Sequence, residues 1–198
     1  MASRTRRSRF SYPVFLDLDD VLVLVVGGGR IGARKADGLA AAGALVRLVA
    51  IEVSEHVDHA QLTDVRERPF DSSDLDGVRL VVAATGDRST DERISAAARQ
   101  RGIWTNAADQ PVDCEFILPA VTRAGRVTGA ISTDGASPAL AGYLRDRLAE
   151  LLDQRVATAA DVLSAERRAV QAAGGSTEDI DWTPRVRELL GADTQRSA

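Results

Sequence analysis

The sequence predicts an α/β protein: a Rossmann-like parallel sheet followed by a small strand pair and a helical dimerisation region. Three observations predict it. An unbroken aliphatic run, Val21–Val26, ends in Gly27-Gly28-Gly29. Strand-like and helix-like stretches then alternate as far as Thr105, the pattern of a sheet covered on both faces. Beyond Asn106 the alternation stops, and two short strands precede a leucine-striped helix.

The aliphatic run suits a strand buried on both faces. The glycines after it fit G-x-G-x-x-G, with Gly27, Gly29 and Gly32 in the marked places. Their separate tasks are a tight turn, close approach of backbone to a pyrophosphate, and close packing of helix on strand. The following helix aims its first N–H groups at the phosphates. Arg30 and Ile31 sit at its start. A cation there opposes the helix dipole, so Arg30 either faces an anion or is a solvated first-turn residue. Gly32, Ala36, Leu39 and Ala40 give the helix a narrow small-residue face, and Gly43 ends it.

Leu45–Ala50 reads as the second strand, Val65–Phe70 as the third, Val78–Ala84 as the fourth and Ile103–Thr105 as the fifth. Glu92–Arg101 is the intervening helix. An acidic residue roughly 20 positions after the first glycine usually bonds the ribose of NAD. Here the second strand closes with Ile51-Glu52, and Glu52 lies slightly beyond that place, so either Glu52 or the backbone around Ile51 takes the role. Thr85 and Asn106 follow strands at the same sheet edge and are expected cofactor contacts. Asn106 either touches nicotinamide or shapes its loop.

Phe116–Val121 and Val127–Thr133 are read as strands close enough for antiparallel pairing. Ser137-Pro138 supplies an N-cap and a first-position proline. Leu140, Leu144, Leu148 and Leu152 then line one long helix, with helical composition to about Ala173. Residues 12–115 thus form the expected NAD-binding domain, and 116–190 a helical substrate-cleft and dimerisation region. The leucine stripe packs either on a second copy, giving a homodimer, or on its own domain.

Composition narrows the classes. The 198 residues are 44% apolar and 27% charged with net charge −4, which gives no pull towards nucleic acid or an acidic membrane. No run reaches transmembrane length. The basic start, MASRTRRSRF, lacks a signal-type apolar segment. A cytoplasmic protein with disordered ends at 1–11 and 191–198 is expected. The single cysteine, Cys114, excludes an intramolecular disulfide and multi-cysteine metal sites. His56 and His59 lie three apart on what reads as a solvated helix, without a third ligand nearby. No permanent metal site is expected. Of 25 basic residues only Lys35 is a lysine.

Three further stretches complete the pattern: Thr105-Asn106-Ala107-Ala108-Asp109 with Gln110-Pro111; Cys114–Ala120; and Ala130–Ala141, containing Ser132-Thr133-Asp134-Gly135 and Ser137-Pro138. With Gly27–Gly29 and Ala33-Arg34-Lys35 they resemble the siroheme synthase N-terminal family over about Tyr12–Leu152. The resemblance implies precorrin-2 dehydrogenation to sirohydrochlorin with NAD, followed in bifunctional members by Fe²⁺ insertion in the same cleft. It implies a catalytic Asp109, which also fits a transient Fe²⁺ contact, whereas the local sequence alone equally suits a turn aspartate. It implies cofactor contacts at Arg30 and Ile31 after the glycines, and tetrapyrrole carboxylates held by Ser132, Thr133, Gly135 and Ser137. Asp134 departs from the family pattern, standing where the first of two glycines is usual. Precorrin-2 is then expected from a separate methyltransferase. A different class, a dimeric NAD-sensing regulatory module, would use the glycine loop but needs no carboxylate such as Asp109.

Overall fold

The computed structural model describes residues Arg9–Gly191, and the chain divides into two compact units at Leu118/Pro119. The leader and tail expected at 1–11 and 191–198 lie outside the described residues except for Arg9–Ser11 and Gly191. Arg9 donates to the carbonyls of Pro111 and Cys114 at 2.6 and 2.7 Å.

The first unit runs β1 (Leu22–Gly28), α1 (Arg30–Ala40), β2 (Leu45–Val53), β3 (Asp64–Glu67), β4 (Leu80–Ala83), α2 (Arg88–Gln100) and β5 (Trp104–Ala107). Its sheet has the order β3-β2-β1-β4-β5 with every pair parallel. Alternate residues of β1 serve opposite faces. Val23 and Val25 pack with Ala33, Ala36 and Leu39 of α1, whereas Leu24 and Val26 pack with Ile94 and Ala98 of α2. This is why β1 must be apolar throughout: each of its buried Val and Leu side chains contributes about 1.5–3 kcal/mol.

Several expected boundaries shift for local reasons. The third strand stops at Glu67 instead of reaching Phe70, since Pro69 has no N–H to pair. The fifth runs Trp104–Ala107, extending past Thr105 to carry Asn106. The strand expected from Phe116 starts at Ala120, because the Glu115 and Phe116 N–H groups are spent on the Thr105 carbonyl. His59 belongs to a short 3₁₀ turn, His59–Gln61, fixed by the Asp58 side chain accepting from the Ala60 N–H, and the expected histidine-bearing helix is absent.

In the second unit β6 (Ala120–Ala124) and β7 (Val127–Ile131) form an antiparallel hairpin. The second strand ends at Ile131, short of Thr133, where the backbone enters a turn through Asp134 and Gly135 at positive φ. The single long helix expected after Pro138 is two helices, α3 (Pro138–Leu151) and α4 (Gln154–Ala172). Asp153 causes the break: extended itself, it accepts from the N–H groups of Arg155 and Val156 and so caps a new helix. α5 (Thr183–Leu190) follows, and Arg185 ties it to Glu166 of α4 at 2.7 Å. The leucine stripe is divided. Leu148 and Leu152 lie over Gly129 of the hairpin, where a Cβ would collide with Leu148. Leu140 and Leu144 remain exposed. Among the described residues no helix is long and apolar enough to cross a membrane.

Candidate active site

The sheet order reverses direction of progression at β1, and the carboxyl ends of β1, β2 and β4 open a cleft of about 690 Å³ there, the position at which open α/β sheets bind ligands. Its floor is Gly27–Gly29. Gly27 has φ +120°, a conformation that a side chain resists, and a Cβ there would overlap the Ala84 carbonyl. A Cβ on Gly32 would overlap the Gly27 carbonyl, so α1 lies directly on the turn. Gly29, the N-cap of α1, has nothing within 4 Å of an added Cβ. Gly27 and Gly32 thus make the tight turn and the close helix packing that the spacing predicts, and the open space at Gly29 would fit a pyrophosphate against the helix N-terminus. Gly28, unmarked in the pattern, is equally constrained: its Cβ would collide with the Glu52 carbonyl of the neighbouring strand.

One wall consists of Ala50, Ile51 and Glu52. It is in place because β2 continues to Val53, three residues past the Ala50 end that its sequence suggests. The opposite walls are Arg68-Pro69-Phe70 after β3 and Thr85, Asp87, Thr90 and Arg93 around the start of α2. Of these only Thr85 is legible from motif position. Its N–H and hydroxyl both donate to the buried Asp91 carboxylate, at 3.1 and 2.8 Å. Burial pushes Asp91 up, and those Thr85 bonds act against it.

Arg68 is held from behind. Asp74, with no exposed surface, receives Arg68 at 2.6 and 2.8 Å and Arg66 at 2.6 Å. Burial alone would raise Asp74, but bonds from Arg68, the Asp71 N–H and Arg66 hold its carboxyl at about 2. Arg47 is committed to Asp64 and the Asp74 carbonyl, away from the cleft. Arg30 and Ile31 stand exposed on the first turn of α1 outside the cleft wall, and Gly32 is buried beneath them.

Asp109 lies just past β5, at the same carboxyl edge, exposed and with φ +60°. The loop holding it is bonded at many points. Cys114 Sγ accepts from the Ala107 N–H at 3.2 Å, and Glu115 accepts from the Thr105 N–H and from Arg99. The buried Asn106 side chain accepts from Lys35 at 3.1 Å and donates to the Phe116 carbonyl at 3.0 Å. Its amide thus shapes the Asp109 loop from inside, outside the wall of the nucleotide cleft.

The loop of the second unit has its own internal order. Ser132 Oγ accepts from the Asp134 N–H, Thr133 Oγ1 bonds both backbone groups of Ser137, and Ser137 Oγ caps α3 by accepting from the Leu140 N–H. Asp134 sits at φ +55° and Gly135 at +80°. Aspartate is among the few non-glycine residues that tolerate that region, which accounts for its presence at the departing position. Among the described residues no group of three metal-ligating side chains is assembled.

A family model described as putative NAD(P)-binding matches residues 14–120, and one described as sirohaem biosynthesis protein central matches residues 130–151. The solved structure of SirC, precorrin-2 dehydrogenase, aligns with a TM-score of 0.64 at 31% identity, covering 91% of this chain and 88% of that one. The chain belongs to the siroheme synthase N-terminal family. Siroheme synthase of Methylococcus capsulatus is 39% identical over 166 residues, covering 80% of this chain and 35% of that protein. Siroheme synthase of Photorhabdus laumondii is 38% identical over 187 residues, covering 93% and 36%. The chain spans about a third of the length of these curated relatives. Its sheet unit is the family's NAD-binding domain.

Proposed function

We propose that this chain oxidises precorrin-2 to sirohydrochlorin with NAD⁺, in siroheme biosynthesis. The observation carrying the reading is an exposed carboxylate, Asp109, on a multiply bonded loop at the same sheet edge as the glycine cradle. Gly27–Gly29 and the first turn of α1 would hold the pyrophosphate, and Ile51 and Glu52 the adenosine ribose, which favours NAD over NADP. Bound there, NAD⁺ supplies the acceptor for the hydride, that is, for two electrons and one proton. The second proton passes from the macrocycle to the Asp109 carboxylate, the general base, and then to water. Ser132 retains a hydroxyl proton to donate to a substrate carboxylate, while the Asp134, Ala136 and Ser137 N–H groups are spent within the turn, which leaves the Gly135 N–H as its backbone donor.

Fe²⁺, as a substrate, would enter the resulting sirohydrochlorin in a second step, with Asp109 accepting pyrrole protons. Exposed Leu140, Tyr143 and Leu144 on α3 support a homodimer formed through the second unit. The test is Asp109→Ala assayed anaerobically with precorrin-2 and NAD⁺. Loss of NADH formation with NAD⁺ affinity retained is expected. Unaltered turnover would remove Asp109 from the mechanism, and NAD⁺ binding without oxidation by the unmutated chain would favour the sensor. Iron-dependent formation of siroheme faster than in a protein-free control would establish the second step.

A further inference from the structure

The only lysine of the chain is spent inside the first unit, half-buried, with its ammonium 3.1 Å from Asn106 Oδ1. Lys35 projects from α1, whose N-terminus forms the phosphate end of the nucleotide cleft. Asn106 is the penultimate residue of β5, just ahead of the Asp109 loop, and its amide also donates to the Phe116 carbonyl where the loop returns. One side chain thereby joins the helix of the glycine loop to both ends of the loop that bears the carboxylate. We propose that Lys35 is a positioning residue for the dehydrogenase reaction, acting through Asn106 to fix Asp109 relative to the cofactor helix. The proposal rests on the function proposed above.

The chemistry of the position supports a role beyond filling space. A lysine is costly to bury: burial pushes its ammonium down and Arg34 adds to that, while Cys114 and Asp109 act in the opposite direction. An uncharged donor would bond Asn106 at lower cost. The cation also adds attraction to Asp109 across the site. Other bonds also hold the loop, among them Cys114 to Ala107, Glu115 to Thr105 and Arg9 to Pro111. These fix the loop to β5 and the leader, further bonds tie it to β4 and α2, and Ala108 and Phe116 pack on the apolar cluster that includes Ala33 and Ala36; Lys35 supplies the polar tie to α1. Losing Lys35 should therefore leave the loop folded but free to shift against the cofactor helix.

The test compares the unmutated chain with Lys35→Met, Lys35→Arg, Asn106→Leu and the Lys35→Met/Asn106→Leu pair. Dehydrogenation is measured at saturating precorrin-2, with NAD⁺ affinity and thermal midpoint followed alongside. A displacement near 1 Å can cost about a hundredfold in rate, so kcat should fall between about tenfold and a hundredfold in Lys35→Met. The NAD⁺ dissociation constant should change less than about threefold, and Lys35→Arg should recover most of the loss. The double variant should be no slower than the worse single one, because both act through the same bond. If Lys35→Met does not fold, Lys35→Ala, which likewise removes the donor, replaces it under the same expectations. Unchanged kcat, a loss confined to NAD⁺ affinity, no recovery by arginine, or multiplicative losses in the double variant would each overturn the proposal. Inactivity of the unmutated chain would instead overturn the proposed reaction.

Discussion

Gly32 and Gly29 belong to one motif but face opposite surroundings, so alanine at each should fail in a different way. At Gly32 the new Cβ would overlap the Gly27 carbonyl oxygen, and ordinary contact requires α1 to withdraw by roughly 1 Å. The helix cannot withdraw without loss, because Ala33 and Ala36 are buried against the sheet and would give up those contacts. Overpacking of this kind costs about 1–3 kcal/mol, which lowers the thermal midpoint by about 2–12 °C in a chain of this length. At Gly29 the Cβ meets nothing, and φ −78° suits any residue. Gly29→Ala should cost less than about 1 kcal/mol of stability. Both substitutions should weaken NAD⁺ binding at least tenfold, Gly32→Ala by moving the helix and Gly29→Ala by occupying the pyrophosphate's space. Thermal unfolding and NAD⁺ titration of both variants separate the cases. A stable Gly32→Ala chain, or undiminished affinity in Gly29→Ala, would refute the division of tasks.

Asp109→Asn should lower kcat by about 10²–10⁴-fold with NAD⁺ affinity intact, as measured by stopped-flow NADH formation and equilibrium titration. Asp74 should set an acid limit. Its carboxyl is held at about 2 against an ordinary 3.8, so its stabilisation is complete above pH 4 and lost as pH falls through about 2. That loss amounts to about 2 kcal/mol and should be visible in acid unfolding followed by circular dichroism. Asp74→Asn should destabilise the fold by about 3 kcal/mol at pH 7, since Arg66 and Arg68 lose their buried partner. Glu52→Gln should narrow the preference for NAD⁺ over NADP⁺, read as the ratio of their dissociation constants.

The fold was largely legible because β1 and its glycines leave little choice. A run apolar on both faces must be central, and the glycine spacing marks the turn and the helix lying on it, Gly32 over the Gly27 carbonyl. What was not legible depends on partners distant in sequence. Arg68 and Arg93 in the cleft wall, and Gly28 against Glu52, follow from where β2 and β3 end and α2 begins. The Lys35–Asn106 bond spans 71 positions, and no local pattern signals it. The break at Asp153 carried a local signal, an N-cap residue before a helical stretch, that the regular leucine spacing leading up to it and the helical composition beyond concealed.

The central claim is that this chain removes hydride from precorrin-2. Anaerobic incubation of the chain with precorrin-2 and NAD⁺ tests it, following NADH absorbance and the tetrapyrrole spectrum together. The account predicts one NADH for each sirohydrochlorin formed, with no product in the absence of NAD⁺. Bound NAD⁺ with an unchanged precorrin-2 spectrum would contradict it.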